Sequence, residues 1–344
     1  MPDRNDKRQA SRLASGSFDD PEAYVGTVGY RSANVVVHRA PDFAGWLARL
    51  DLDGVRLYRS DHNASMSVMS ATAEPAFAFS TDRRSRARIA GRDFGFGTIY
   101  CIGPDRPFHC SAEGHLAWGS VGFDPDRLAA DLEVLRGRPS PGIGHGAMFD
   151  ASATPGWARL LTASETAVRI GMTAPAALAT GSAAANLADT LTGALMDCLE
   201  TGGLDPDRAS IRRHHQILER MLAAIEADHA TELTLTRLCR AVRVNARTLN
   251  DVSVNYLGVP PIHYLRFHRL TRVYRILRDA DPDKTRVSGV FARNGLWDSG
   301  RAEGAYRAVF GQTPRETLML KDRPDAARDT THALARFGAL AGGV

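Results

Sequence analysis

The chain is short of several things that would point to particular chemistries. Lysine is nearly missing, at 3 of 43 basic residues, so arginine carries the positive charge. The four cysteines, Cys101, Cys110, Cys198 and Cys239, lie far apart and form no CxxC pair, which argues against structural zinc and predicts reduced thiols rather than disulfides. No run approaches the roughly 18 apolar residues of a membrane span. The opening MPDRNDKRQASRLASG holds no apolar segment of the kind a signal peptide needs. A cytoplasmic protein without membrane contact is the expectation. A GxSxG nucleophile elbow, a P-loop and a paired catalytic-acid motif are also lacking, so no enzyme class is indicated and no cofactor is expected.

What is present divides the chain. Its 344 residues, 44% of them hydrophobic, suffice for about two domains with a core each. Residues 211–323 carry 20 basic and 12 acidic side chains, net +8, against 23 and 27, net −4, in the remainder. A polyanion is the natural partner of the basic end.

Residues 1–20 are polar, lack apolar periodicity and read as a flexible tail. Within 21–150, short runs at Ala33–His38, Ser65–Ser70, Ala76–Ser80, Thr98–Ile102 and Leu116–Phe123, separated by Gly, Pro and Asp, predict the strands of a sandwich or barrel. Asp42–Leu50 predicts a helix among them. Residues 151–207 turn Ala- and Leu-rich, with Leu160, Val168, Leu191, Leu195 and Leu199 at helical spacing. They predict two helices broken near Thr180–Ser182, then a linker at TGGLDPD. Residues 211–320 read as helical throughout and 321–344 as a C-terminal tail.

Inside the helical part, a short segment Leu235–Val242, a tight connection at Arg243 and Val244, and a helix capped by Asn245 and stopped by Gly258 spell a helix-turn-helix. The pattern recurs at an offset of 52: Val287, Val290, Phe291 and Leu296 match Leu235, Leu238, Cys239 and Val244, and Gly295 takes the turn. Between the copies, Pro261–Arg278 predicts a connecting helix of about 27 Å, close to the roughly 34 Å between successive major-groove openings on one face of DNA.

Gly258-Val-Pro-Pro261, Tyr264-Leu265, Arg269-Leu270, Gly295, Asp298, Tyr306-Arg307 and Phe310-Gly311-Gln-Thr-Pro314 fall, in order and without a gap, at the spacings of the AraC/XylS family of regulators, which the last third of the chain resembles. Ser253 departs from the family's buried aromatic, Leu296 from its Phe, Ala302 from an aromatic and Gly304 from a basic residue. Base contacts are expected from Arg247, Thr248, Asn250 and Asp251 in the first unit and Ser299, Gly300, Arg301 and Glu303 in the second. Phosphate contacts are expected from Arg266, Arg269, Lys284, Arg286 and Arg307. Arg269 can instead bridge the two subdomains.

The front part, through Pro104–His109, Ala117–Phe123 and Asp124–Leu128, resembles the cupin-like, AraC-type effector-binding module. The resemblance implies an α+β protein of two domains: an N-terminal β-barrel holding a small effector, a helical dimerisation segment, and an all-α double helix-turn-helix domain. It further implies a homodimer acting with RNA polymerase on double-stranded promoter DNA, most often as an activator. Arg84, Arg86 and Arg88 at period two would share one face of a strand and bind an anionic effector, with His109 nearby. His109, Glu113 and His115 lack the spacing of a metal-binding cupin, so no metal is expected. A cupin-type metal-dependent enzyme with a DNA-binding appendage, and an architectural nucleic-acid protein, remain as alternatives.

Overall fold

Period-two alternation and buried apolar runs build the front half as strands. The computed structural model describes residues 12–128, 144–178, 181–201, 203–204, 208–228 and 233–320. One sheet has the order β1-β3-β4-β11-β6-β9-β12-β13, from strands Arg12–Phe18, Gly45–Leu52, Val55–His62, Leu116–Phe123, Ala76–Ser80, Thr98–Ile102, Met148–Asp150 and Gly203–Leu204. The other runs β2-β5-β10-β7-β8, from Ser32–Arg39, Ser65–Ala71, Phe108–Ala112, Ala87–Ile89 and Arg92–Asp93.

The two sheets do not close, which corrects the expected barrel. Edge strand β2 takes its partners from a helix instead of another strand: Val37 N–H donates to Thr271 Oγ1 (3.1 Å), and Val35 C=O accepts from Arg275 Nη2 (2.8 Å). An edge satisfied in this way has no need of closure.

Two further expectations are corrected at the N-terminal end. Residues 12–18 are not a tail but β1, paired with β3 from Arg12↔Asp51 to Phe18↔Gly45. After it, Asp20 accepts from Ala23 N–H (2.7 Å) and caps α1, Pro21–Thr27. Asp42–Leu50 is not a helix, because most of it is β3. Phe43, Trp46, Leu47 and Leu50 do fit a helical stripe, but the segment is flanked by partner strands on both sides and buried on both faces, where apolar spacing loses its meaning. Residues 1–11 and 321–344 lie outside the described residues.

Helices α2 (Pro155–Thr173), α3 (Pro175–Leu178) and α4 (Gly181–Thr201) follow. Leu160, Val168, Leu191, Leu195 and Leu199 are at most 1% exposed, packed with Trp46, Leu50 and Phe79 of the larger sheet. The leucine stripe is thus consumed within the chain.

The helical third comprises α5 (Arg208–Glu226), α6 (Leu235–Val242), α7 (Ala246–Leu257), α8 (Pro261–Asp279), α9 (Val287–Arg293), α10 (Ser299–Phe310) and α11 (Pro314–Met319). Its hydrophobic interior continues into the sandwich. Val36 of β2 packs with Ile217, Leu249 and Tyr256, while Val35 and Val37 join a cluster containing Tyr24, Leu270, Tyr274 and Phe310. The run of three valines is apolar on every residue because helices cover what the sheet does not.

Candidate nucleic-acid interface and ligand cavity

Each half of the helical third sets its second helix by the same local devices. Asn245 Oδ1 accepts from Thr248 N–H (2.8 Å) at the start of α7, and Asp298 Oδ1 from Arg301 N–H (3.1 Å) at the start of α10. Gly258 (φ 77°) and Gly311 (φ 74°) end them in the left-handed conformation. In the turns, Arg243 (φ 60°) and Gly295 (φ 71°) adopt the same backbone at the predicted offset. Tyr306 supports the second unit from within, its hydroxyl donating to Thr317 Oγ1 (2.8 Å).

The start of α7 presents Arg247, Asn250 and Asp251 to solvent, with Thr248 half-buried beside its capping bond. The start of α10 presents Gly300, Arg301 and Glu303, and Ser299 is its first residue. Arg301 is 89% exposed and makes a solvent-facing pair with Asp298 (3.3 Å). Arg266, Arg286 and Arg307 are exposed, as is Lys284, which lies 3.5 Å from Asp281. Arg269 differs: its guanidinium meets Asp228 beyond the end of α5 (2.8 Å), with both side chains largely buried. This pair ties α8 to the chain just beyond α5. Ser253 fills the space of the family's aromatic with a hydrogen bond, fully buried and donating to Val259 C=O (2.7 Å).

Trp297 is a residue the sequence reading passes over. It is 75% exposed and directly precedes the cap of α10. An aromatic directly before the capping residue Asp298 was the available signal.

Between the sheets lies a cavity of about 130 Å³, walled by Tyr24, Tyr58, Met66, Phe94, Phe108 and Trp118. Its volume approaches that of cavities of about 150 Å³ that admit benzene. Tyr24 Oη accepts from Trp118 Nε1 (3.0 Å) and pairs with Ser60 Oγ (2.7 Å), so its polar end is already satisfied. The charged wall residues Arg56 and Glu74 are bound to one another (2.6 Å). Burial, then the nearby His115, depresses the His62 imidazole to about 3 and keeps it neutral. The lining suits a flat, largely apolar molecule.

None of Arg84, Arg86, Arg88 and His109 lines this cavity. Arg84 and Arg86 precede the short strand β7 instead of sharing its face, because Asp82 accepts from Arg84 N–H (2.8 Å) and turns the chain there. Arg84 also pairs with Asp82 (2.6 Å), and Arg88 with Asp93 (3.2 Å) and Asn255 (2.7 Å). His109 is buried on β10 and faces a second cavity, which shares Phe108 with the first. His115 pairs with Asp82 (3.0 Å), and among the described residues no group of three or more His, Cys, Asp or Glu side chains is placed to hold a metal. No described helix is long and apolar enough to cross a membrane.

Residues 238–319 match a family model described as a helix-turn-helix domain. Over 94 residues the chain is 33% identical to the probable thc operon regulatory protein of Rhodococcus erythropolis, covering 27% of this chain and 28% of that one. Over 120 residues it is 25% identical to the XylDLEGF operon transcriptional activator of Pseudomonas putida, covering 35% and 37%. The chain therefore spans less than two-fifths of the length of these relatives. A looser likeness, with a TM-score of 0.40 and 15% identity over 76% of this chain and 95% of the other, is to the crystal structure of the AraC-like transcriptional activator CuxR.

Proposed function

We propose that the helical third of the chain is a DNA-binding domain of the AraC/XylS type, and that the whole protein is a sequence-specific regulator of promoters, acting as an activator. The observation that carries this reading is the pair of capped helices, α7 and α10, whose first turns leave Arg247, Asn250, Asp251, Arg301 and Glu303 free of the core. Arginine suits guanine, asparagine suits adenine, and a carboxylate accepts from cytosine. Arg266, Lys284, Arg286 and Arg307, with the helix N-termini, hold phosphates. Arg269 contributes through its bond to Asp228, by fixing α8 on α5.

The effector in this reading is a small apolar molecule in the cavity between the sheets. Two copies of the chain associate through the outer faces of α2 and α4, since their leucines are already used. The dimer presents four helix-turn-helix units and recruits RNA polymerase. In this reading it carries out no chemistry of its own.

Sequencing the genomic fragments retained by the purified protein at moderate salt tests the reading, in parallel with the double variant Arg247→Ala, Arg301→Ala. A paired motif present for the parent and lost in the variant is expected. Uniform retention, unchanged in the variant, would sink it in favour of architectural binding.

A further inference from the structure

The second cavity, about 570 Å³, lies between the sandwich and the first helix-turn-helix unit. It gathers Arg92, Arg106, His109, His145 and His215 around a single carboxylate, Glu219. That carboxylate is engaged by His215 Nε2 (3.1 Å). Among the described residues the Arg106 guanidinium has no ion-pair partner, and nothing hydrogen-bonds the His109 ring, although it is only 2% exposed. His145 accepts the Gly103 N–H at Nδ1 (3.1 Å), which leaves its proton on Nε2 as a donor. Burial and then His215 hold His109 down at about 3, and burial, Arg106 and His215 hold His145 at about 4. Cationic groups so placed repel one another, and a bound anion would reverse the sign of that interaction.

The rest of the wall is aromatic. The Arg92 guanidinium sits 5.9 Å above the Tyr100 ring, which meets His145 edge-on at 6.2 Å, and Tyr256 of α7 faces them from the helical side. This differs from the cavity between the sheets, where the one arginine is bound to two carboxylates.

We propose that this cleft is a ligand site for a small organic anion, a carboxylate or phosphate on a flat aromatic body, with Arg106, His109 and His145 holding the charge and Tyr100 and Tyr256 the ring. Because its walls come from the sandwich on one side and α5 and α7 on the other, an occupant ties the first helix-turn-helix unit to the sensor. The inference does not rest on the DNA reading, and its test contains no DNA.

Calorimetric titration of the full chain with 1-naphthyl phosphate, 1-naphthoate and uncharged 1-naphthol separates the two anion chemistries from the ring alone. At least one anion is expected to bind saturably, with 1-naphthol about tenfold weaker or undetectable. Arg106→Gln is expected to weaken the anion about tenfold, and Arg106→Lys to restore most of the loss. His145→Gln supplies the same test if Arg106→Gln lowers the melting temperature. Binding should also move the imidazole ¹⁵N resonances of His109 and His145. Failure of both anions to bind, displacement of a bound anion by 1-naphthol at equal affinity, or anion affinity unchanged in both variants overturns the proposal.

Discussion

Arg243 and Gly295 occupy equivalent turns with nearly equal φ, 60° and 71°, yet only one is glycine. A left-handed non-glycine residue costs roughly 1–2 kcal/mol. Glycine adds roughly 0.5–1 kcal/mol of unfolded-state entropy. The difference favours Arg243→Gly by about 0.5 kcal/mol, because this exposed side chain gives up no packing. Urea unfolding reads the change, and a loss of stability would show that the arginine side chain contributes more than its backbone costs. Ser253 is the opposite case, a buried hydroxyl whose bond to Val259 C=O steadies the segment after α7. Ser253→Ala is expected to cost about 1 kcal/mol by the same measurement.

At the scale of elements, the helices of the last third were legible because their caps are local. Asn245, Gly258, Asp298 and Gly311 mark boundaries by their own chemistry, and α6, α7, α9 and α10 begin and end within a residue or two of the places these signals gave. The candidate base-contact positions followed directly from those boundaries. β3 and β1 were not legible for a physical reason: a strand flanked by two others and buried on both faces shows no alternation, and an edge strand as polar as Arg12–Phe18 shows little apolar signal. Neither cavity was legible, since each assembles residues from strands or helices distant in sequence. The caps make a prediction at this scale. Asp298→Ala should cost about 1 kcal/mol of stability. It should also fray the first turn of α10, so DNA affinity falls even though Asp298 itself need not touch a base. Trp297→Ala leaves the cap in place and removes only the exposed ring, so it should lower DNA affinity with stability unchanged. Fluorescence anisotropy with a retained fragment, beside melting curves, separates the two effects.

At the scale of the whole molecule, four histidines set how stability depends on pH. His38, His62 and His109 are each held at about 3 and His145 at about 4, with burial the largest cause in every case. The unfolded chain takes up these protons near pH 6.5, while the folded chain refuses them until about pH 3–4. Stability is therefore intact above about pH 6.5 and declines as pH falls below it, by up to about 1.4 kcal/mol per pH unit for each histidine. Urea midpoints at pH 7.5 and 5.5 check the sign, and equal midpoints would show that the imidazoles are solvated.

His38 belongs to the same seam as α1. It stacks on Phe267 (5.1 Å) where β2 meets α8; Glu22 of α1 receives Arg275 of α8 (2.5 Å), with Arg278 near both Asp20 (3.4 Å) and Glu22 (3.6 Å). Burial raises the Glu22 carboxyl despite Arg275, so the ion pair compensates desolvation incompletely. The same short helix supplies Tyr24 and Val25 to the wall of the cavity between the sheets, so cavity and connecting helix share a support. Arg275→Met leaves a carboxylate only 10% exposed with Arg278 as its remaining cation, 3.6 Å away, and should cost about 2 kcal/mol, less than a fully buried pair because Arg275 itself is 36% exposed and Arg278 stays in place. The added change Glu22→Gln removes the weakly compensated charge and should recover about half of that loss. Hydrogen exchange localises the effect: amides of α1 and β2 are expected to exchange faster in the single variant, with α4 unaffected. Uniform acceleration across all helices would mean that the pair supports global folding and not the seam between sensor and connector.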